Sequence, residues 1–178
     1  MIALAVPPLQ AAGILLPILC VMDAFGVWAY RRHWDHANMR VMLPAGLAGV
    51  VLATLTASLV SEHMLRVGLG TIAVAFALNY LAGTSTRARR PDRATGSFWS
   101  GLAGYASFLA HAGGPPLNMY LLPQRLDKAM FVGTTVVFWA VINVAKIGPY
   151  AWLGQFAPSN LTTSLALAPL APLESGSA

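Results

Sequence analysis

Ala110-His-Ala-Gly-Gly-Pro-Pro-Leu-Asn118 concentrates more candidate chemistry than any other stretch of this 178-residue chain. Gly113 and Gly114 let a ligand approach the backbone, and Pro115 and Pro116 suit the first turn of a new half-helix running toward Leu122. Free amides and the positive dipole end of that half-helix would then face the break, which is the chemistry of an anion site. His111 is a candidate proton carrier or donor to a ligand, and Asn118 would help to frame the same site. Two plainer readings compete: a proline and glycine kink that only shapes helix packing, and a histidine hydrogen-bonded in a protein core.

A second group gathers around Lys146. Asn143 precedes it by one turn, and Thr135 and Trp139 lie farther up the same general face, so that an amide, a hydroxyl and a cation can line one wall. Ionisable groups in membrane segments usually face a pathway or a partner. For Lys146 that reading competes with snorkelling to the headgroups, and Thr134 and Thr135 can instead bond back to their own helix. Asp23, with apolar residues on both sides, has to be protonated or paired. It is a candidate coupling group, or an ion-pair partner for Lys146 or Arg66, although it could also accept a hydrogen bond in a helix interface. Arg66, beside Glu62 and His63, reads as an interfacial charge. His33-Trp-Asp-His36 has metal-like spacing but no further ligand nearby, and Cys20 reads as a packed thiol among apolar neighbours. No metal or other cofactor is expected. Without a convincing nucleophile, metal cluster or carboxylate pair, an enzyme is not expected either.

These residues need elements to hold them, and composition says of what kind. The chain is 57% hydrophobic and 10% charged, against roughly 45–50% and 25% in an average soluble domain. So few charges could not cover the surface of a globule. Lipid is the expected solvent, and the expected fold class is an all-α membrane protein, a multi-pass helical bundle. Apolar segments run from Leu9 to Tyr30, Val41 to Val60, Met64 to Gly83, Phe98 to Leu122 and Ala129 to Ile147. A shorter sixth, Leu161 to Leu173, contains Pro169 and Pro172. Residues 1–173 thus read as one transmembrane domain and 174–178 as a disordered tail. The start has no basic n-region or small-residue cleavage site and does not read as a signal peptide.

Segment 98–122 must break at its glycines and prolines. Irregular backbone at membrane depth has to be buried in protein or line a wet cavity, so the segment is either a broken crossing or a re-entrant hairpin. Arg31, Arg32 and Arg40 crowd loop 31–40, and Arg87, Arg89, Arg90 and Arg93 crowd loop 84–97, whereas the turn between the second and third segments has only Arg66 at its edge. Both arginine-rich loops are expected on the cytoplasmic side. The net charge of +5 is scattered in these clusters, which argues against a nucleic-acid partner. Trp28, Tyr30, Trp34, Tyr80, Trp99, Tyr150 and Trp152 fall where an interfacial aromatic belt would place them. Asp23 and Tyr30 are spaced like Asn143 and Tyr150, an echo pointing to parts of two internal repeats.

Three stretches resemble a known family. Leu16-Pro-Ile-Leu-Cys-Val-Met-Asp-Ala-Phe-Gly-Val-Trp-Ala-Tyr-Arg-Arg-His-Trp-Asp35, Ala110-His-Ala-Gly-Gly-Pro-Pro-Leu-Asn-Met-Tyr-Leu-Leu-Pro-Gln124, and Gly133-Thr-Thr followed by Asn143-Val-Ala-Lys146 are similar to the sulfite exporter TauE/SafE family. The His-Ala-Gly-Gly-Pro-Pro element is the most specific of them. The resemblance implies a multi-pass inner-membrane permease built from two repeats, moving small sulfur-containing or organic anions such as sulfite, sulfoacetate or other sulfonates. It leaves open the direction, the energy coupling and assembly into a homo-oligomer. Against the family's usual seven or eight segments the chain reads as truncated at both ends. That sets an alternative beside the permease: a transport-incompetent membrane fragment, or a regulatory or interaction subunit.

Overall fold

Polar residues in the connections start the helices. The computed structural model describes residues 8–82 and 92–154. Within them α1 spans Pro8–Tyr30, α2 His36–Thr56, α3 Glu62–Leu81, α4 Arg93–Ala110, α5 Gly114–Leu121 and α6 Lys128–Trp152, with a 3-10 turn at Leu122–Gln124 after α5. Asp35 accepts from the amides of Ala37 at 2.8 Å and Asn38 at 3.1 Å, Ser61 from Met64 at 3.2 Å, Asp92 from Thr95 at 2.9 Å, and Asp127 from Ala129 at 2.9 Å. Each satisfies first-turn donors that have no partner within the helix. The Asp35 cap explains why α2 begins at His36, ahead of the apolar run that opens at Val41. At the other end of the chain, α6 continues past Ile147 through Pro149 to Trp152. The sixth apolar segment, the tail and residues 84–91 of the second arginine-rich loop lie outside the described residues.

Helices α1, α2, α3 and α6 are each long and apolar enough to cross a bilayer, with mean hydropathy between 1.5 and 1.9. The chain is an all-α, multi-pass membrane protein, with no strand among the described residues. Its tightest seam joins α2 to α4. A methyl group added at Gly49 would collide with the carbonyl oxygen of Gly101, and one at Gly104 with the carbonyl oxygen of Gly46. Glycine is required there because backbone meets backbone, the close approach that small residues permit between membrane helices. Helix α6 lies across this pair and against α1: Phe138 and Ile142 pack on Gly46, Val136 on Gly26, and Gly133 on the carbonyl of His33. Helix α3 buries only Leu65, and its remaining apolar side chains suit lipid.

Segment 98–122 turns back on itself. Gly113, just past the break, packs against Ala103 and Ser107 of α4, while Tyr120, about two turns later, packs against Gly96 near the start of α4. The chain therefore runs back along α4 and delivers Gln124 to Asn38, at the beginning of α2. The starts of α2, α4 and α6 and the foot of the hairpin share one end of the bundle, where Arg31, Arg32, Arg40, Arg93 and Lys128 also lie.

Candidate functional site

The break begins where α4 gives up its helical path. His111 takes a left-handed conformation at φ 52°. Its amide still donates to the Ser107 carbonyl at 3.0 Å, and the Ala112 amide reaches back to the carbonyl of Ala106 at 3.4 Å. The Phe108 carbonyl, which the Ala112 amide would meet in a continuing helix, is left without its helical donor. Helix α6 supplies that donor and adds others. Lys146 Nζ donates to the Ser107 carbonyl at 3.0 Å, to Ser107 Oγ at 2.6 Å and to Asn143 Oδ1 at 3.0 Å, and the Tyr150 hydroxyl donates to the Phe108 carbonyl. Lys146 and Tyr150 stand four residues apart, on one helix face.

Lys146 is fully buried, so its ammonium turns inward and does not snorkel. Its three protons all go to neutral oxygens, and the negative dipole end of α4 faces it. The nearest carboxylate is reached indirectly, since Asn143 Nδ2 donates to Asp23 Oδ2 at 2.7 Å. The result is one polar chain, Asp23 to Asn143 to Lys146 to Ser107, tying α1, α6 and α4 together. Ser107 was not among the residues singled out by sequence. Its signal was a hydroxyl one turn ahead of the glycine and proline break, on the α4 face that carries Gly96 and Ala103.

The other sequence-predicted residues divide. Gly113 is wedged: a methyl group there would strike the Ala103 carbonyl and the Trp139 ring. Gly114 faces open space, with nothing within 4 Å of an added methyl group, and opens α5, with Pro115 and Pro116 following in its first turn. Because neither proline carries an N–H, the donors at this helix start reduce to the glycine amides, fewer than an ordinary anion-binding helix end offers. His111 presents the opposite situation. Both ring nitrogens are buried and have no hydrogen-bond partner among the described residues, and the imidazole lies within reach of the Lys146 charge. Asn118 stands one turn beyond Gly114, half-buried. Thr135 is not brought to this group. Its hydroxyl bonds to the Phe131 carbonyl at 2.8 Å, and the 11 residues separating it from Lys146 place it about 16 Å away along α6.

A second polar cluster was not anticipated. At the hairpin foot Asn38 Nδ2 donates to Gln124 Oε1 at 2.8 Å and to Asp35 Oδ2 at 3.0 Å, and the Tyr120 hydroxyl donates to Asn38 Oδ1 at 2.8 Å. Asp35, read above as part of a metal-like spacing, is engaged as the α2 cap and in this cluster, while Trp34 and His36 stack at 3.9 Å. Tyr150 corrects the expectation of an aromatic belt: it is fully buried, whereas Trp28, Tyr80 and Trp152 are exposed. Arg66 pairs with Glu62 at 3.3 Å on an exposed helix start.

A helical hairpin broken at glycines and prolines, with a buried cation held against its end and four long apolar helices around it, fits a polytopic membrane protein of the transporter class. The chain belongs to the sulfite exporter TauE/SafE family, whose profile matches residues 1–173. No curated protein and no solved structure matches it.

Proposed function

We propose that this chain carries a small sulfur oxyanion, sulfite or a sulfonate such as sulfoacetate, across the cell inner membrane through the break between α4 and α5. The observation that carries the reading is a buried Lys146 bonded, among the described residues, only to neutral oxygens, close to a His111 imidazole whose nitrogens have no partner among those residues. A buried polar group without a partner needs an occupant, and an oxyanion supplies both acceptors for the imidazole and a counter-charge for the ammonium. Gly114 is the open side of the break, and Gly113, Pro115 and Pro116 hold the backbone out of the helical path. Asn118 and Asn143 complete the polar rim, while Thr135 lies farther along α6, outside it. Asp23 sets the charge of the Lys146 chain from α1 and is the candidate coupling group. In this reading the arginine-rich loops 31–40 and 84–97 face the cytoplasm.

Sulfite flux in proteoliposomes tests the site. Lys146→Met removes the cation and keeps the bulk, and Pro115→Ala restores a helical donor at the break. Each lost charged hydrogen bond is worth roughly 1.5–3 kcal/mol, so Lys146→Met lowers flux by about tenfold or more. Unchanged flux in both variants would overturn this site.

A further inference from the structure

Away from the break, a cavity of about 690 Å³ opens between the first turns of α2 and α4. Arg40 of α2 and Arg93 of α4 line it together with Ser97, Asn38, Asp92 and Tyr120. Neither guanidinium is ion-paired, since the one salt bridge among the described residues joins Arg66 to Glu62. Asp92 shares the cavity but is committed elsewhere: its Oδ2 accepts from the Thr95 amide at 2.9 Å and the Thr95 hydroxyl at 2.8 Å. These bonds hold its carboxyl below the usual carboxylate range, so it remains a fixed charge that caps α4. Asp92 offsets the positive dipole end of α4, so the net positive charge of the lining comes from the two arginines. Asn38 and Tyr120 are bonded to each other, which leaves the Ser97 hydroxyl as the remaining neutral side-chain donor of the lining. The remaining α2 lining, from Val41 to Ala45, is apolar.

We propose that this cavity binds an organic oxyanion, its charged head between Arg40 and Arg93 and its carbon portion against the apolar wall of α2. Guanidinium forks match the geometry of sulfonate or phosphate oxygens. The volume falls within the range of small-molecule sites and exceeds what a bare inorganic anion fills. Two sources present this chemistry, a soluble sulfonate and the phosphate headgroup of an anionic lipid. The site is separate from the Lys146 chain and requires binding only, not transport.

Titration calorimetry of the purified full chain in a neutral detergent uses sulfoacetate as the soluble probe, and native mass spectrometry of the chain exchanged into phosphatidylglycerol supplies the lipid probe. Arg40→Gln and Arg93→Gln change exposed side chains and leave the core intact. Arg66→Gln, at the opposite end of the bundle, is the control. The expected result is that each arginine variant weakens one of the two probes about tenfold or more, that binding falls with added salt, and that Arg66→Gln changes nothing. Loss of sulfoacetate binding identifies a free solute as occupant, and loss of retained phosphatidylglycerol alone identifies a lipid. If neither probe binds, or if both bind equally to the wild-type chain and the two arginine variants, the proposal falls. Absent sulfite flux with this binding intact would count against the transport reading and not against the cavity.

Discussion

Lys146 shows how a single side chain can carry both structure and candidate chemistry. Its charge is stabilised by carbonyl and hydroxyl dipoles of α4 and, through the Asn143 amide, by Asp23. Removing the ammonium leaves the Ser107 and Asn143 oxygens short of a donor and strands the Asp23 charge. The two ends of the chain should therefore be coupled even though they do not touch. Thermal unfolding of Lys146→Met, Asp23→Asn and the double variant in one detergent is expected to show a coupling free energy of about 0.5–3 kcal/mol, the range for residues sharing a network. Strictly additive changes would show that Asn143 transmits nothing. Lys146, Asn143 and Asp23 were legible as candidates because polar residues in apolar runs are conspicuous. That Asn143 stands between the two charges was not, since the two residues whose bond makes it so lie 120 positions apart.

At the scale of elements, the glycines fall into two kinds that composition does not separate. Gly104 faces the backbone of Gly46, while Gly68 on α3 faces nothing within 4 Å. Gly104→Ala should force α2 and α4 apart and cost about 1–3 kcal/mol, as overpacking a well-filled interior does. Gly68→Ala should leave the melting temperature unchanged or raise it, because alanine is the better helix former. Thermal unfolding of both variants side by side checks the contrast, and equal destabilisation would contradict the seam. The break itself was readable from Gly113, Gly114, Pro115 and Pro116, because proline and glycine act on their own backbone. The prolines' second effect, the loss of amides facing the break, follows from the same covalent chemistry. The caps at Asp35, Ser61, Asp92 and Asp127 are local in the same way, and where hydropathy alone sets a boundary, as at Val41, it misses them.

At the scale of the whole molecule, the hairpin predicts that the starts of α2, α4 and α6 share one side of the membrane. Single cysteines replacing Arg32, Lys128 and Ser61 in a Cys20→Ala background test it with a membrane-impermeant thiol reagent on sealed vesicles of known orientation. Arg32→Cys and Lys128→Cys should label from one face and Ser61→Cys from the other. Labelling of position 128 together with position 61 would mean that the segment crosses instead. Counting basic residues favours the hairpin over the crossing only slightly, since the two arrangements differ in where Arg125, Lys128 and Lys146 fall. Packing breaks the tie, because Tyr120 and Gln124 meet Gly96 and Asn38 only if α5 turns back.

The sequence by itself determined the solvent, the helical class, the place of the break and most residues around it, together with the family resemblance. Each of these depends on residue type and near spacing: apolar length, proline and glycine backbone chemistry, and charges set among hydrocarbon. Only the tertiary structure decided that Lys146 turns inward to the end of α4, that Tyr150 is a buried donor and not an interfacial anchor, that Thr135 stays within its own helix, and that Arg40 and Arg93 share a cavity. Those outcomes depend on which helix faces which. In a membrane most helices are apolar on every side, and the choice among faces rests on a few glycine contacts and long-range hydrogen bonds that no local pattern encodes.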